Sequence, residues 1–147
     1  MIILDEYFMK QALKEAIYAY EKNEIPVGAI VVFHKNIIAQ AHNLTKLLKD
    51  VTAHAEIQVI GAAESYLKGH SLKECSLYVT LEPCIMCAGA ISWAKLGRLV
   101  FGASNPIKGF SNERISLHSK TMIHKGILSK QSSRLLQRFF KKKRKKL

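Results

Sequence analysis

The sequence predicts an α/β layer fold, one sheet flanked by helices. Three observations lead there. The 147 residues suit a single domain, and 48% of them are apolar, enough for a sizeable core. Stretches apolar at helical spacing alternate with short apolar, β-branched runs in the order α-β-β-α-β-α-β-β-α. No internal repeat and no Pro/Gly/Ser-rich linker divides the chain.

Asp5 to Glu24 places Phe8, Ala12, Leu13, Ala16, Ile17 and Tyr20 on one helical stripe, and Pro26 ends it. Val27 to Phe33 reads as a buried strand. His34-Lys35-Asn36 can turn, and Ile37 to Ala41 can return antiparallel. Asn43 to Thr52 is a polar loop. His54 to Leu67 is a helix, with Thr52 near its start. Ser76 to Thr80 is a strand in which the neighbouring Cys75 is a buried hydrophobe. Pro83 opens a helix to about Lys95, because proline favours the first helical position. Met86 and Trp93 on that helix read as core. Gly97 to Gly102 is a strand, and residues 103–120 are irregular. Met122 to Leu128 is a fifth strand, and Ser129 begins a helix that runs into a basic end. The domain spans 1–140, and 141–147 is a basic C-terminal tail.

Charge is unevenly placed. Residues 1–113 hold 11 Lys and Arg against 11 Asp and Glu, and Glu113 is the last acid. The remaining 12 basic residues all follow it, so the whole net charge of +12 lies in residues 114–147. Such asymmetry points to a polyanionic partner, nucleic acid or an anionic membrane surface, against the plainer reading of a solvated tail. The longest strongly apolar run, Val27 to Phe33, is too short to span a bilayer. The start, from Met1 to Glu6, lacks the basic stretch of a secretory signal. Three cysteines, two of them in a C-x-x-C, suit metal ligation in a reducing compartment, and a cytoplasmic place is expected.

His54-Ala55-Glu56 and Pro83-Cys84-Ile85-Met86-Cys87 carry the chemistry. Together they match H-x-E…P-C-x-x-C, the known pattern of zinc nucleobase deaminases, so the match itself is a recognition. The physical reason for the pattern can be derived. His54, Cys84 and Cys87 supply three ligands for Zn2+, which leaves a fourth tetrahedral position open, as catalytic zinc requires. Residues two apart do not share a helical face, so His54 and Glu56 reach one metal only where a helix begins. Cys84 and Cys87, three apart, share a face on the helix that Pro83 opens. Both helix N-termini then favour anions, which helps keep thiolates and Glu56 ionised. Glu56 serves as proton carrier. A zinc that only staples two helices would want a fourth protein ligand, and Cys75 is placed in a strand instead. His34, His42, His70, His118 and His124 have no ligand spacing and read as surface or hydrogen-bonding residues.

A wider set of segments resembles the bacterial tRNA-specific adenosine deaminases. They are Ile25-Pro26-Val27-Gly28-Ala29, Ala41-His42-Asn43, Thr52 to Ile57, Leu77 to Ile91, Arg98 to Ala103 and Lys125-Gly126-Ile127-Leu128. The resemblance runs from about Met1 to Lys145. It implies a cytidine-deaminase-like three-layer α/β/α fold with a central five-stranded mixed sheet. It implies a homodimer and hydrolytic deamination of adenosine to inosine at the wobble position of an arginine tRNA anticodon. It also implies that Asn43 contacts the flipped-out nucleotide, and that Phe139, Phe140 and Lys141 help hold the anticodon stem-loop. Val51 stands where the family usually has proline, and the segment from Ser104 to Lys120 is shorter than usual. Two other classes compete: a deaminase of a free pyrimidine or guanine, and a non-catalytic zinc-stapled RNA-binding subunit. Glu56 argues against the second of these, and the basic C-terminal third argues against the first.

Overall fold

The computed structural model describes residues 2–145. Five strands make one mixed sheet: β1 (Gly28–Phe33), β2 (Asn36–His42), β3 (Cys75–Leu81), β4 (Arg98–Ala103) and β5 (Met122–Lys125). Across the sheet they run β2-β1-β3-β4-β5. β1 is antiparallel to both β2 and β3, and β3, β4 and β5 are parallel. Four helices, α1 (Ile2–Glu21), α2 (Ala55–Tyr66), α3 (Ile85–Trp93) and α4 (Ser129–Lys145), complete the fold.

Strand side chains alternate between faces. Ala29, Val31, Leu77, Val79, Leu99 and Phe101 pack with Val59 and Ile60 of α2 and Ala88 and Ile91 of α3. Ile30, Val32, Tyr78 and Val100 pack on the opposite face with Phe8, Met9 and Ala12 of α1. There α4 meets α1 through the rings of Phe139 and Tyr20, 6.1 Å apart. The three-layer expectation holds.

Local chemistry moves several boundaries. α1 stops at Glu21, before Pro26, because Asn23 takes a left-handed conformation (φ 64°). Glu24 N–H then donates to Ala19 O (2.9 Å) and Asn23 N–H to Tyr20 O (3.0 Å), a Schellman ending with asparagine in glycine's usual place. The buried stripe of α1 is Asp5, Phe8, Met9, Ala12, Ala16 and Ala19, while Ile17 faces solvent. His34 and Lys35 both have positive φ (48° and 66°), which gives the two-residue turn that suits the twist of the β1–β2 hairpin. Gly28 lies against α1, where a Cβ would strike the backbone of Ala12 and Ala16. β5 ends at Lys125, short of Leu128, because Gly126 turns the chain (φ 88°). Trp93 is 90% exposed, not core: α3 buries its Cys87, Ala88 and Ile91 side and presents Trp93 outward. Cys75 is buried as expected, and burial pushes its thiol up to about 11. The basic run from Lys141 to Lys145 continues α4; Lys146 and Leu147 lie outside the described residues. No described helix is long and apolar enough to cross a membrane.

One buried ion pair ties α1 to the sheet. Arg98 donates to Asp5 at both nitrogens (2.8 and 2.6 Å), and Tyr78 Oη–H donates to Asp5 Oδ1 (2.7 Å). Burial pushes the Asp5 carboxyl up, but the hydrogen bonds from Arg98 and Tyr78 prevail and hold it below the usual aspartate value. Its stabilisation is therefore fully present above the unfolded pKa of about 3.9 and is lost as pH falls through the depressed folded value. We expect Asp5→Ala to lower the unfolding free energy at pH 7 by about 3 kcal/mol, since it strands a buried guanidinium. Urea unfolding as a function of pH checks both points: the variant should lose the acid-side slope below about pH 4.

Candidate active site

Two helix N-termini meet at one end of the sheet. His54 is the N-cap of α2, and Cys84 is the N-cap of α3. Pro83 thus precedes the cap and does not occupy the first turn; the helix starts at Ile85. Cys87 is the third residue of α3 and fully buried. Capping positions explain the short spacings, because a cap residue has extended φ and ψ and its side chain is not tied to a helical face. His54 (φ −70°, ψ 155°) and Cys84 (φ −74°, ψ 176°) both have this geometry.

His54 Nδ1 lies 3.7 Å from Cys84 Sγ and 3.5 Å from Cys87 Sγ. A tetrahedral ion with Zn–N of about 2.0–2.1 Å and Zn–S of about 2.3 Å would require edges of about 3.6 Å between those atoms. The three ligand atoms lie within 4.8 Å of one another, so the trio can hold one metal ion. The donor set, one imidazole and two thiols, is that of zinc. Hydrogen bonds from Cys87 and His54 pull the Cys84 thiol down to about 3, toward the thiolate that a metal ligand must be. The hydrogen bond to Cys84 and burial, with the nearby Glu56 and Cys84 charges, push Cys87 up, and its proton must leave when a metal cation binds.

Glu56 is the second residue of α2 and 4% exposed. Burial raises its pKa to about 7. A carboxyl poised near neutrality can both take and return a proton. His54, Glu56 and Cys84 open onto a cavity of about 520 Å³, within the range that holds a small organic ligand. A staple would not face such a space.

Residues 3–103 match the cytidine and deoxycytidylate deaminase zinc-binding region. The chain is 42% identical to the tRNA-specific adenosine deaminase of Agrobacterium fabrum, over 94% of its own length and 95% of that protein's. It is 41% identical to the tRNA-specific adenosine deaminase of Bacillus subtilis, over 97% and 92%. The chain belongs to the tRNA-specific adenosine deaminases. Among solved structures it resembles one from a study of A-to-I editing by tRNA:A34 deaminases at the wobble position of transfer RNA. That match has 42% identity and a TM-score of 0.82, covering 88% of this chain and 99% of the other. Zinc is accordingly the cofactor of this deaminase.

The remaining expected residues fall in different places. Asn43 lines the cavity, nearly buried, with its N–H donating to Val27 O (3.0 Å). Phe140 lines the cavity and is 42% exposed. Phe139 points away from it into the α1–α4 contact beside Tyr20. Lys141 is exposed and does not line the cavity. His42 is hydrogen-bonded, as expected: its Nδ1 lies 2.8 Å from Glu15 Oε1, beneath the loop that carries Asn43.

Two buried carboxylates of this deaminase had escaped the sequence reading. Glu24 accepts the N–H groups of Lys46 (3.0 Å) and Leu47 (2.7 Å). Glu82 accepts those of Asn105 (3.0 Å) and Ser111 (3.1 Å), and the Ser111 hydroxyl (2.5 Å). The available signal was an acid abutting an apolar strand, before Ile25-Pro26-Val27 and after Leu77 to Leu81. Leu136 and the segment from Ser104 to Lys108 complete the cavity and had no chemical signal of their own.

Proposed function

We propose that this chain deaminates adenosine to inosine at the wobble position of a tRNA anticodon, with an arginine tRNA as substrate. One observation carries the reading: His54 and Cys84 of the metal-binding trio and the buried Glu56 open onto one nucleoside-sized cavity, with Cys87 completing the trio from beneath. His54, Cys84 and Cys87 hold the zinc, which when bound supplies a Lewis acid that brings the pKa of water to about 7. The Glu56 carboxylate takes the proton released as water attacks C6 of the adenine. It passes that proton to ring N1, then takes the second proton, from the hydroxyl newly formed at C6, and gives it to the departing amine, so inosine and ammonia account for both protons of the water. Asn43 orients the nucleotide from one wall, and Phe140 offers a ring from the other for base contact. Phe139 supports Phe140 from behind, with ring centres 5.4 Å apart. Incubation with an anticodon stem-loop bearing wobble adenosine, beside cytidine, deoxycytidylate and guanine, tests the reading. Inosine should form in the stem-loop alone.

α4 is the element for RNA phosphates. Its cations include Lys130, Arg134, Arg138 and the run from Lys141 to Lys145, and Lys141 lies one residue beyond the cavity-lining Phe140. Binding should therefore weaken with salt, by about 0.7 in log K per tenfold salt for each phosphate contacted on a single strand. Deleting residues 141–147 should weaken stem-loop binding and flatten that slope, measured by salt-dependent titration, while leaving the zinc in place. An unchanged slope would make the run a solvated end.

The working form is a cytoplasmic homodimer. Ile85, Gly89 and Trp93 follow at four-residue steps along α3, and Ile85 and Trp93 are 50% and 90% exposed. An apolar stripe with an exposed tryptophan suits a partner surface. Light scattering should give about twice the 16.6 kDa of one chain; Trp93→Glu should return that mass to the monomer's.

A further inference from the structure

From the two loops that wall the cavity, we infer that Glu24 and Glu82 are a pair of positioning residues for the reaction, one clamping each wall. The inference rests on the reading of the cavity as the site of the wobble adenosine. Four carboxylates are buried among the described residues: Asp5, Glu24, Glu56 and Glu82. Asp5 has Arg98, and Glu56 belongs to the reaction. Glu24 (1% exposed) and Glu82 (3%) have no cationic partner within salt-bridge distance among the described residues. A buried charge without a counter-ion is costly unless hydrogen bonds compensate it. Here both oxygens of each carboxylate receive donors from a single loop.

Glu24 sits just past the Schellman end of α1, so its side chain turns under the loop that follows β2. Its acceptors satisfy Lys46 and Leu47 N–H at the start of a turn closed by Leu48 N–H to Leu44 O (3.0 Å). The same loop carries Asn43 and Thr45, both at the cavity, linked by an Asn43 Nδ2 to Thr45 Oγ1 hydrogen bond of 3.4 Å. Glu82 stands on the other side, between β3 and the zinc ligands. It gathers Asn105, inside the wall segment from Ser104 to Lys108, and Ser111, just beyond that segment. Gly109 lets the loop come this close: a Cβ there would strike the Glu82 carboxylate and lie 2.6 Å from Asn105 O. Glu82 lines the cavity, yet three donors occupy its oxygens, so it is not a second proton carrier.

A carboxylate is needed because two N–H groups converge on two different oxygens. Glutamine has the same shape but turns an NH2 donor against one of those N–H groups, which leaves a buried clash of donors. Charge-assisted bonds are about twice as strong as neutral ones, so the loop loses its main anchor without losing packing.

The test compares Glu24→Gln, Glu82→Gln and the double variant with the wild type, all as full-length zinc-loaded protein. Turnover, affinity and zinc content are read on the wobble-adenosine stem-loop, together with hydrogen exchange of the backbone amides. A wall displaced by about 1 Å can cost on the order of 10²-fold in rate. We expect kcat per zinc-loaded, folded molecule to fall by about that factor in each single variant. The two clamps share no partner, so the losses should multiply in the double variant. Stem-loop Kd, dominated by phosphates on α4, should stay within about threefold. Amides 44–48 should exchange faster in Glu24→Gln, and 104–111 in Glu82→Gln. Unchanged kcat, or a loss matched by the loss of folded zinc protein, overturns the inference. Should the wild type itself leave the stem-loop unedited, the functional reading falls, and unchanged exchange at the named amides would still overturn the clamps.

Discussion

Alanine at Cys87 empties the metal site and stops turnover. Cys87 is fully buried on the third position of α3, 3.5 Å from His54 Nδ1, and no other described cysteine can take its place. Cys75 lies at the start of β3, outside the three-residue cluster, with its thiol proton held by burial. Two ligands, His54 and Cys84, then remain, and a third protein ligand is what fixes a catalytic zinc with one open position. Zinc content by elemental analysis should fall from one per chain to near zero, and inosine formation with it. Metal binding is coupled to folding, so the thermal midpoint should also drop. Cys75→Ala is the matched control and should keep both metal and activity. Full zinc in the Cys87 variant would remove Cys87 from the ligand set.

The chemistry was legible in the sequence because it is local. His54 with Glu56, and Cys84 with Cys87, are pairs whose spacing only makes sense at helix starts, and both helices do start there. The sheet was legible because β1 is buried on both faces and reads as an unbroken apolar run, as is usual for a central strand. What failed depended on partners distant in sequence. Trp93 is apolar, yet its exposure is decided by which side of α3 meets the sheet. Pro26 looked like the end of α1, but Asn23 ends it by adopting positive φ, which few residue types accept. Glu24 and Glu82 look like ordinary surface acids until loops 22 and more residues downstream fold over them. Phe139 and Phe140 are adjacent and alike, and only the rotation of α4 sends one to Tyr20 and the other to the cavity.

Glutamine at Glu56 should leave the zinc and the fold in place and abolish most of the turnover. Glu56 is not in the ligand trio, so removing its charge takes no bond from the metal. Glutamine fills the same volume at a position that is 4% exposed, so α2 and its packing should survive. Its amide, however, cannot accept a proton from water and later release it. The reaction requires the same group to act twice, as base toward the attacking water and then as acid toward ring nitrogen and amine. No described side chain offers a substitute: Glu82 lines the same cavity but has its oxygens filled by Asn105 and Ser111. General acid–base groups typically contribute about 10²–10⁴-fold, roughly 3–5 kcal/mol of barrier, and a doubly used one belongs at the upper end. Single-turnover kinetics on the stem-loop should therefore show kcat down by about 10⁴-fold at unchanged zinc content and nearly unchanged Kd. Turnover within tenfold of wild type in a zinc-loaded Glu56→Gln protein would mean that the proton travels by another route.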